Sequence, residues 1–338
     1  MGYSFRNDYS SIAIKEVIDK LLECSNEQNI GYGEDNHTLN AKRLIKEKIK
    51  RDSDIYFIAG GTITNMIAIG SVLKPYEAVI ACDSGHINVH ETGAIEGLGH
   101  KILYCKNNDG KVSILGIDEI IKSHTDHHMV KPKMVYISNS TEVGSVYSLK
   151  ELKEIYDYCK KNNLYLYLDG ARLASALAAS DITFIDYGKY TDMFYIGGTK
   201  CGSYFGEALV INNNELKKEF NYYIKHFGGM IAKGFVTSIP FEVLMEGNRY
   251  IEIGKKENEC ANLLVEELTK LGLNFYSKSV TNQVFVILPN RILEELYKDF
   301  AYEYWIKGEN ESVIRFVTSF TTEEKHVLEL VHRIKELL

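Results

Sequence analysis

Two charged residues, Asp169 and Lys200, have the side-chain types and surroundings for covalent chemistry. Asp169 follows the apolar run Leu164–Leu168, which predicts a buried strand, and ligands bind at the carboxyl ends of parallel strands. Lys200 follows another short apolar run, within the glycine-rich stretch Gly197–Gly202, and a lysine in such a site can form a Schiff base. A Schiff-base lysine and an aspartate for a pyridinium nitrogen are the two marks of a pyridoxal phosphate site.

Two further segments lie where a cofactor and its phosphate would bind. Arg172 comes three residues after Asp169 and can project to the same side, although an Asp–Arg pair that caps a helix explains these residues equally well. The run Gly60–Asn65 lies between a predicted strand and helix, so its backbone N–H groups and threonine hydroxyls suit a phosphate. A glycine-rich turn with a threonine cap is the alternative. The spacing matches neither an NTP-binding loop nor a dinucleotide fingerprint, which disfavours a nicotinamide enzyme.

A pair of histidines, His86 and His90, follows another predicted strand end. His86 could lie flat against a cofactor ring, and His90 would share its face if the segment is helical. With Glu91 the two histidines could instead bind a metal, but the cofactor interpretation explains more. The run His124–His128 is typical of a solvated loop, so we predict no metal site.

Composition excludes several classes of protein. The chain has 338 residues and a formal net charge of −7, which argues against a nucleic-acid or anionic-membrane surface as its main partner. Its six cysteines form no C-x-x-C pair, which favours free thiols in the cytoplasm. No signal peptide or membrane-length apolar run is visible in the sequence.

Strand and helix patterns alternate through the first two thirds of the chain, which predicts an α/β domain with a mostly parallel sheet. The predicted strands are Asp54–Ala59, Ala78–Cys82, Lys101–Cys105, Lys133–Ser138, Leu164–Leu168, Met193–Ile196 and Ala208–Ile211. The predicted helices between them are Thr62–Leu73, Asn88–Glu96, Ile117–Ser123 and Leu149–Lys160.

After Asn212 the pattern changes to that of a separate α+β lobe. Its predicted helices are Leu216–Phe227, Phe241–Leu271, Ile292–Lys298 and Thr322–Leu338, and its predicted strands are Asn282–Leu288 and Ser312–Thr318. We therefore predict an N-terminal segment at 1–25 that packs on the small domain and the active site, a large domain at 26–239 and a small domain at 240–338.

Several motifs together resemble the low-specificity L-threonine aldolase family, which belongs to the β-eliminating lyase group. They are FRND at Phe5–Asp8, YGED at Tyr32–Asp35, GGTITN, HINVHETGA, LDGAR, GGTK and the late VIRFVTSF. They extend from near residue 5 to near residue 320, almost the whole chain. The resemblance implies an aspartate-aminotransferase-type (fold type I) pyridoxal phosphate enzyme, with a large α/β domain and a smaller α+β C-terminal domain.

The resemblance also implies roles for individual residues. Lys200 would bind the cofactor covalently, Asp169 would hold the pyridine nitrogen, and His86 would stack on the ring. The remaining cofactor and substrate positions are Gly61, Thr62 and Thr199 for the phosphate, Arg172 beside the cofactor, Arg172 and Arg315 with Asn7 for the substrate carboxylate, and Tyr32 in the pocket wall. Sites in this family are completed across a dimer, commonly within a tetramer, so Lys225 or Lys233 could reach a neighbour's phosphate.

The chain departs from the family pattern where the β-hydroxyl would be deprotonated. Many members have a histidine in the segment that here runs from Ser138 to Gly144, and many have tyrosine where His90 stands. The base is therefore open between His90, Glu142 and a water held by His86, and we favour His86 or His90.

Three functions remain as hypotheses from the sequence. The first is cleavage of L-threonine, L-allo-threonine or related β-hydroxy-α-amino acids to glycine and an aldehyde. The second is another reaction of the same cofactor, either β-elimination or transamination. The third is a catalytically silent protein on the same fold, which retention of Lys200, Asp169, Arg172 and Arg315 makes improbable.

Overall fold

Two β-sheets organise the chain, and the computed structural model describes residues 2–107 and 109–338. The strands of the larger sheet are β1 (Asp54–Ile58), β2 (Glu77–Cys82), β3 (Ile102–Cys105), β4 (Lys131–Ser138), β5 (Tyr165–Asp169), β6 (Met193–Gly197) and β7 (Glu207–Ile211). Those of the smaller sheet are β8 (Gln283–Pro289), β9 (Glu303–Ile306) and β10 (Glu311–Val317). The sheet orders are β1-β7-β6-β5-β4-β2-β3 and β8-β10-β9.

The larger sheet is mostly parallel, as the sequence predicts. Strands β2 to β6 pair in parallel, whereas β7 runs antiparallel to both β6 and β1. Ser138 at the end of β4 pairs with Asp169 at the end of β5, so these two carboxyl ends lie side by side. The small sheet is antiparallel throughout.

Helices cover both faces of the larger sheet and one side of the smaller one. They are α1 (Lys15–Glu23), α2 (Asn36–Ile49), α3 (Gly61–Gly70), α4 (His86–Val89), α5 (Ala94–Gly97), α6 (Ile114–Ser123), α7 (Leu149–Lys161), α8 (Leu173–Ala179), α9 (Phe184–Lys189), α10 (Phe220–His226), α11 (Gly234–Leu244), α12 (Arg249–Lys270), α13 (Asn290–Asp299) and α14 (Glu324–Leu337). A short 3₁₀ helix spans Asn214–Leu216.

Side chains along the central strands point alternately to the two faces of the large sheet, and apolar residues occupy both faces. Val135 and Leu166 pack into one core, while their neighbours Met134 and Tyr167 pack into the core on the opposite face. A third core lies between the small sheet and its helices, and it includes Phe5 from the N-terminal segment. Since both faces of the large sheet are covered, polar groups reach a ligand only at the strand ends.

Two predicted helices are wrong because left-handed residues interrupt them. In place of one helix over Asn88–Glu96, α4 and α5 are separated by Thr92 and Gly93, whose φ angles are 52° and 72°. In place of one helix over Phe241–Leu271, α11 and α12 are separated by a turn that contains Gly247 at φ 50°. Apolar spacing continues through such turns, so periodicity alone does not reveal them.

The predicted helix over Leu216–Phe227 is also shorter in the structure. The 3₁₀ helix ends at Leu216, and α10 begins only at Phe220, after Glu219 in the left-handed region. The predicted domain boundary between residues 239 and 240 falls inside α11, and the division into domains stays a prediction. Within the described part of the chain, no helix has both the length and the apolar character needed to span a bilayer.

A buried histidine, His37 on α2, joins three segments of the chain. Its Nδ1 lies 2.7 Å from Glu242 Oε2 on α11, and its Nε2 lies 2.7 Å from Glu27 Oε2 after α1. Burial alone would lower the pKa of His37, but the hydrogen bonds to both carboxylates outweigh it and the pKa is raised above 6.5. The folded state therefore binds this proton more tightly than the unfolded chain.

We expect this histidine to stabilise the fold mainly at mildly acidic pH. A histidine with a raised folded pKa contributes stability that is complete below the ordinary value of 6.5 and is lost as the pH rises through the folded value. His37→Gln should therefore lower the free energy of unfolding by about 2 kcal/mol near pH 6, and by less near pH 9. Urea unfolding at both pH values measures the difference. The exposed His332→Gln is the matched control, and a His37 effect that does not change with pH would contradict the charged bridge.

Candidate active site

A buried carboxylate, Asp169, lies in the wall of a cavity of about 300 Å³ at the carboxyl end of β5. Its Oδ1 accepts hydrogen bonds from the Tyr195 hydroxyl at 2.5 Å and from the Ala171 N–H at 3.0 Å. Its Oδ2 accepts from the Tyr136 hydroxyl at 2.7 Å and from the Asn65 amide at 3.2 Å. Strands β4 and β6 and helix α3 thus all supply donors to one side chain.

Opposing effects act on the pKa of Asp169. Burial raises the pKa, but the nearby His86 and the hydrogen bonds from Tyr195 and Tyr136 lower it more, so the net shift is downward. The carboxylate therefore stays ionised at neutral pH. It can hold a cationic ring nitrogen as an ion pair inside the cavity.

Close backbone packing brings Lys200 into the same cavity. A Cβ atom on Gly197 would lie 2.4 Å from the Ala171 carbonyl oxygen, so only glycine lets the two loops approach this closely. The Gly197 N–H also donates to the Gly170 carbonyl at 3.0 Å. The loops after β5 and β6 therefore pack together, and both Asp169 and Lys200 line the cavity.

The amine of Lys200 is prepared for nucleophilic chemistry. Burial lowers its pKa and the neighbouring Arg172 lowers it further, while Asp8, Asp169 and Glu207 oppose the shift, and the net shift is downward. A lysine with a lowered pKa has more of the neutral amine that attacks a carbonyl carbon. Among the described residues, its Nζ has no hydrogen-bond partner.

A buried glutamate, Glu207, holds the loop that carries this lysine. Its side chain accepts from the Gly198 N–H at 2.8 Å and from the Thr199 hydroxyl at 2.7 Å. The Thr199 hydroxyl in turn accepts from the Gly206 N–H at 3.0 Å. Burial raises the pKa of Glu207 to about 7. Thr199 lines the cavity as predicted, but in this chain its hydroxyl is used to position the loop.

The predicted phosphate-binding turn forms the start of α3. Gly61 and Thr62 line the cavity with Lys200, and Gly61 is the first residue of the helix. The N–H of Thr64 donates to the Gly60 carbonyl, which leaves the preceding N–H groups of the first turn for a ligand. Such a helix start favours an anion.

His86 is oriented by two carboxylates, one on each side. Its ring Nδ1 lies 2.8 Å from Glu91 Oε1, and its backbone N–H donates to Glu142 Oε1 at 3.0 Å. Asn65 donates to the same Glu91 oxygen at 2.7 Å, which links His86 to the donors around Asp169. All of these residues line the cavity.

His90 lies at the edge of this arrangement. Its ring centroid is 5.6 Å from that of His86 and 6.1 Å from the ring of Trp305, and it is an exposed residue that does not line the cavity. Burial of part of the ring lowers its pKa, and His86 and Arg315 add to the effect. Its catalytic role therefore stays a prediction.

Arg172 is paired with an aspartate that sequence reasoning overlooked. Its Nε and one terminal nitrogen donate to Asp8 at 2.6 and 3.1 Å, and Asn282 donates to Asp8 at 2.9 Å. The two charged side chains are 12% and 0% exposed. Asp8 is the last residue of FRND, and its negative charge in that motif was the signal in the sequence that could have indicated a partner for Arg172. The pair fixes the guanidinium and leaves its other terminal nitrogen for a ligand.

Arg315 lies close to Arg172 but outside the cavity wall. It donates to Gln283 at 3.3 Å and to Glu303, and its Nε is buried without a partner among the described residues. Burial lowers its pKa, and repulsion from Arg172 adds to the shift. The unused donor is suited to an anionic ligand group, and the role of Arg315 in substrate binding stays a prediction.

Two predicted substrate residues are not brought to this cavity within one chain. The Asn7 side chain accepts from the Tyr9 N–H and the Ser10 hydroxyl, so it closes a local turn. Tyr32 is 53% exposed and lines a separate cavity, with the Lys225 amine 4.8 Å from its ring. Their roles as ligand-binding residues stay predictions.

The cavity combines an ionised acid, a nucleophilic amine, an anion-binding helix start and a fixed guanidinium. These groups can hold an aromatic, phosphorylated aldehyde that carries a ring nitrogen, together with a small amino acid. Sequence reasoning missed Asp8 and the tyrosine donors, because each comes from another segment of the chain than its partner. It also missed Glu207, which lies close in sequence to Thr199 but on the next strand. For Glu207, the signal in the sequence was a charged residue at the start of the buried strand β7, where a charge needs hydrogen-bond partners.

Comparison with known proteins gives close matches over the whole chain. Residues 5–290 match the family described as beta-eliminating lyase. The chain is 44% identical to the threonine aldolase of Leishmania major, with a TM-score of 0.98 and coverage of 99% of each chain. It is 30% identical to a low specificity L-threonine aldolase of a Pseudomonas species, covering 99% of this chain and 97% of that protein.

A more distant match shows the fold alone. The histidinol-phosphate aminotransferase of Clostridium acetobutylicum has a TM-score of 0.74 at 15% identity, with coverage of 99% of this chain and 98% of that one. The predicted aspartate-aminotransferase-type (fold type I) architecture and the family resemblance are both confirmed.

We expect Asp8→Asn to destabilise the protein strongly, because it leaves the buried Arg172 without a neutralising charge. The loss should be about 3 kcal/mol in the free energy of unfolding. Asp19→Asn is the matched control, since its carboxylate pairs with Lys15 at the surface and should contribute little. Urea unfolding of both variants measures the contrast. Equal effects of the two substitutions would contradict a structural role for the buried pair.

Proposed function

The chain belongs to the beta-eliminating lyase family, and on that premise we propose that it is a pyridoxal phosphate-dependent aldolase. It would cleave L-threonine, L-allo-threonine or related β-hydroxy-α-amino acids to glycine and an aldehyde. The observation that carries this proposal is that Lys200 and the ionised Asp169 line one cavity. The threonine aldolases of Leishmania major and Pseudomonas, similar over almost their full lengths, support the reaction class.

The residues of the cavity fit pyridoxal phosphate. The unpartnered amine of Lys200 suits its aldehyde, and the ionised Asp169 suits its ring nitrogen. The start of α3 at Gly61 and Thr62 suits its phosphate, and His86 is an aromatic side chain of the cavity wall that suits its ring. When bound, this cofactor supplies an electron sink for the negative charge left on the substrate Cα.

The chain's own residues orient the substrate. Arg172 and Arg315 lie near each other, and both keep a donor for the substrate carboxylate. Asp8 and Glu303 fix these guanidinium groups before the substrate arrives. A preset position for the carboxylate determines which bond at Cα is aligned for cleavage. The lowered pKa of Lys200 supplies a neutral amine that can accept or return a proton close to Cα.

Other reactions of this cofactor are not favoured. β-Elimination would release ammonia and a keto acid, and transamination would leave the amino group on the cofactor. Relatives that are similar over almost their full lengths are named as threonine aldolases, which supports cleavage of the Cα–Cβ bond. Product analysis with L-allo-threonine distinguishes the three reactions.

We further propose a homo-oligomer, a dimer or a tetramer, whose active sites are completed across the interface. Tyr32 and Lys225 contact each other, and the Tyr32 N–H donates to the Ala232 carbonyl next to Lys233, at a surface away from their own chain's Lys200. A second chain would bring this group to the cavity. All six cysteines are buried and free, which supports a reducing compartment such as the cytoplasm.

Lys200→Ala should abolish both cofactor retention and aldehyde formation. Without its amine no covalent link can form, so the visible absorbance of the cofactor should disappear after dialysis. The exposed Lys153→Ala is the control and should keep both. Retained absorbance in the Lys200 variant would count against this lysine.

Asp169→Asn should lower turnover by about 100-fold or more, because the neutral amide stabilises a ring cation poorly. The loss of activity should exceed any loss of stability, because the Asn amide oxygen can still accept from one tyrosine hydroxyl while the other hydroxyl can turn to accept from the amide N–H. Acetaldehyde release from L-allo-threonine and thermal unfolding give the two readouts. Unchanged turnover would remove Asp169 from the site.

Mixing two inactive variants tests the shared site. Lys200→Ala and Tyr32→Ala should each be inactive alone, but hybrid oligomers regain one intact site that combines the remaining Lys200 and Tyr32. Activity that returns after the two proteins are unfolded and refolded together supports completion across the interface. Full activity of Tyr32→Ala alone would oppose it.

A further inference from the structure

Glu142, one of the bases that the sequence left open, is a further carboxyl group in the cavity wall. The residue is 9% exposed and follows the end of β4 by four positions. Its Oε1 accepts from the Ser138 hydroxyl at 2.7 Å and from the His86 N–H at 3.0 Å. Its Oε2 is buried and has no hydrogen-bond partner among the described residues. An unmade hydrogen bond on a buried carboxyl oxygen is costly, so the position suits a ligand hydroxyl.

The fold fixes this carboxyl beside the reaction centre. Ser138 pairs with Asp169 in the parallel register of β4 and β5, so the group that holds Glu142 lies next to the group that would hold the cofactor. The second partner, His86, is the residue predicted to cover the cofactor ring. Glu142 therefore lies between two strand ends, both of which open into the cavity.

We propose that Glu142 exchanges the proton of the substrate's β-hydroxyl, a role that rests on the proposed aldolase function. In cleavage, the O–H bond breaks and its proton moves to the Glu142 carboxylate. The oxygen forms the aldehyde C=O bond as the Cα–Cβ bond breaks, and that electron pair stays on Cα. One proton arrives at Cα to give glycine, and Glu142 releases its proton to solvent. One proton leaves oxygen and one reaches carbon, with no oxidant or reductant.

Other acid–base groups nearby are less suited to this step. Glu91 also lines the cavity and has an Oε2 without a partner among the described residues, but its side chain is 0% exposed and its Oε1 holds both the Asn65 amide and the His86 ring. The ring of His86 is assigned to the cofactor face, and its Nδ1 is committed to Glu91. His90 does not line the cavity. Glu142 combines contact with the cavity, two fixed donors on one oxygen and a free second oxygen.

Burial also adjusts the acidity of this group for proton exchange. Burial raises the pKa of Glu142 and the negative Asp169 adds to the rise, while the Ser138 hydrogen bond and His86 oppose it, and the net shift is upward. The titratable groups that face the carboxyl are His86, Asp169 and the phenols of Tyr136 and Tyr147. A carboxyl with a raised pKa is a better base than an ordinary glutamate.

The test is the isosteric substitution Glu142→Gln in the cofactor-loaded protein. The amide oxygen can still accept from Ser138 and His86, but the side chain can no longer take a proton. We expect kcat for L-allo-threonine cleavage to fall by about 100-fold or more with KM nearly unchanged. The rise of kcat with pH that reports deprotonation of Glu142 should disappear. Glu77→Gln, a buried carboxyl at the start of β2, is the matched control and should leave kcat unchanged.

Two readouts do not depend on aldehyde formation. Exchange of the glycine α-proton with D₂O, followed by NMR, needs the cofactor and Lys200 but no β-hydroxyl base, so Glu142→Gln should retain it. Infrared titration of the cofactor-free protein should show one carboxyl group that takes up its proton at a higher pH than an ordinary glutamate and that the variant lacks. Cofactor absorbance and thermal stability should match those of the wild type.

The outcomes separate the two proposals. Wild-type cleavage rate and pH profile in Glu142→Gln would overturn the role of Glu142 and leave the aldolase function standing. Joint loss of cleavage, glycine exchange and cofactor absorbance would show that Glu142 is structural, which also overturns the role. If the wild-type protein exchanges glycine but cleaves no β-hydroxy amino acid, the aldolase function fails, and this inference fails with it.

Discussion

The ionised carboxylate of Asp169 is the constraint on which the rest of the site depends. A charge at this depth is stable only if every oxygen is hydrogen-bonded, and its four donors come from β4, β6, α3 and the turn after β5. These elements can hold Tyr136, Tyr195 and Asn65 at bonding distance only in the observed strand register. The hydrogen bonds that this buried carboxylate requires therefore fix the geometry in which Lys200, His86 and Glu142 surround the same cavity.

The large sheet and the centre of the site follow from local sequence. Strands that are buried on both faces read as continuous apolar runs, so their ends, with Asp169 and Lys200, are visible directly. The chemistry of these two side chains is specific enough to indicate the cofactor from the sequence. Gly61 and Thr62 are visible in the same way, as a glycine turn between a strand and a helix, but that pattern also fits an ordinary helix start.

Other features of the structure depend on contacts between distant segments, which no short stretch of sequence indicates. Asp8 was passed over in favour of Asn7, since only the fold shows which of the two faces Arg172. The break between α11 and α12 rests on backbone angles at Gly247, although the apolar spacing continues across it. In the proposed oligomer Tyr32 would act in the site of a neighbouring chain, which a single sequence does not place.

The contacts of the N-terminal residues determine when the site can be completed during synthesis of the protein. Phe5 is hydrogen-bonded to Ala301 and Val317, and Asp8 is bonded to Asn282, which lies 274 residues further along the chain. A ribosome produces residues 2–8 well before their partners in and beside the small sheet. The nascent chain therefore holds Asp8 and Arg172 without Asn282 until that residue has been synthesised. Synthesis can complete the large sheet earlier, but the ion pair of Arg172 acquires its full set of hydrogen bonds only after residue 282 has been made.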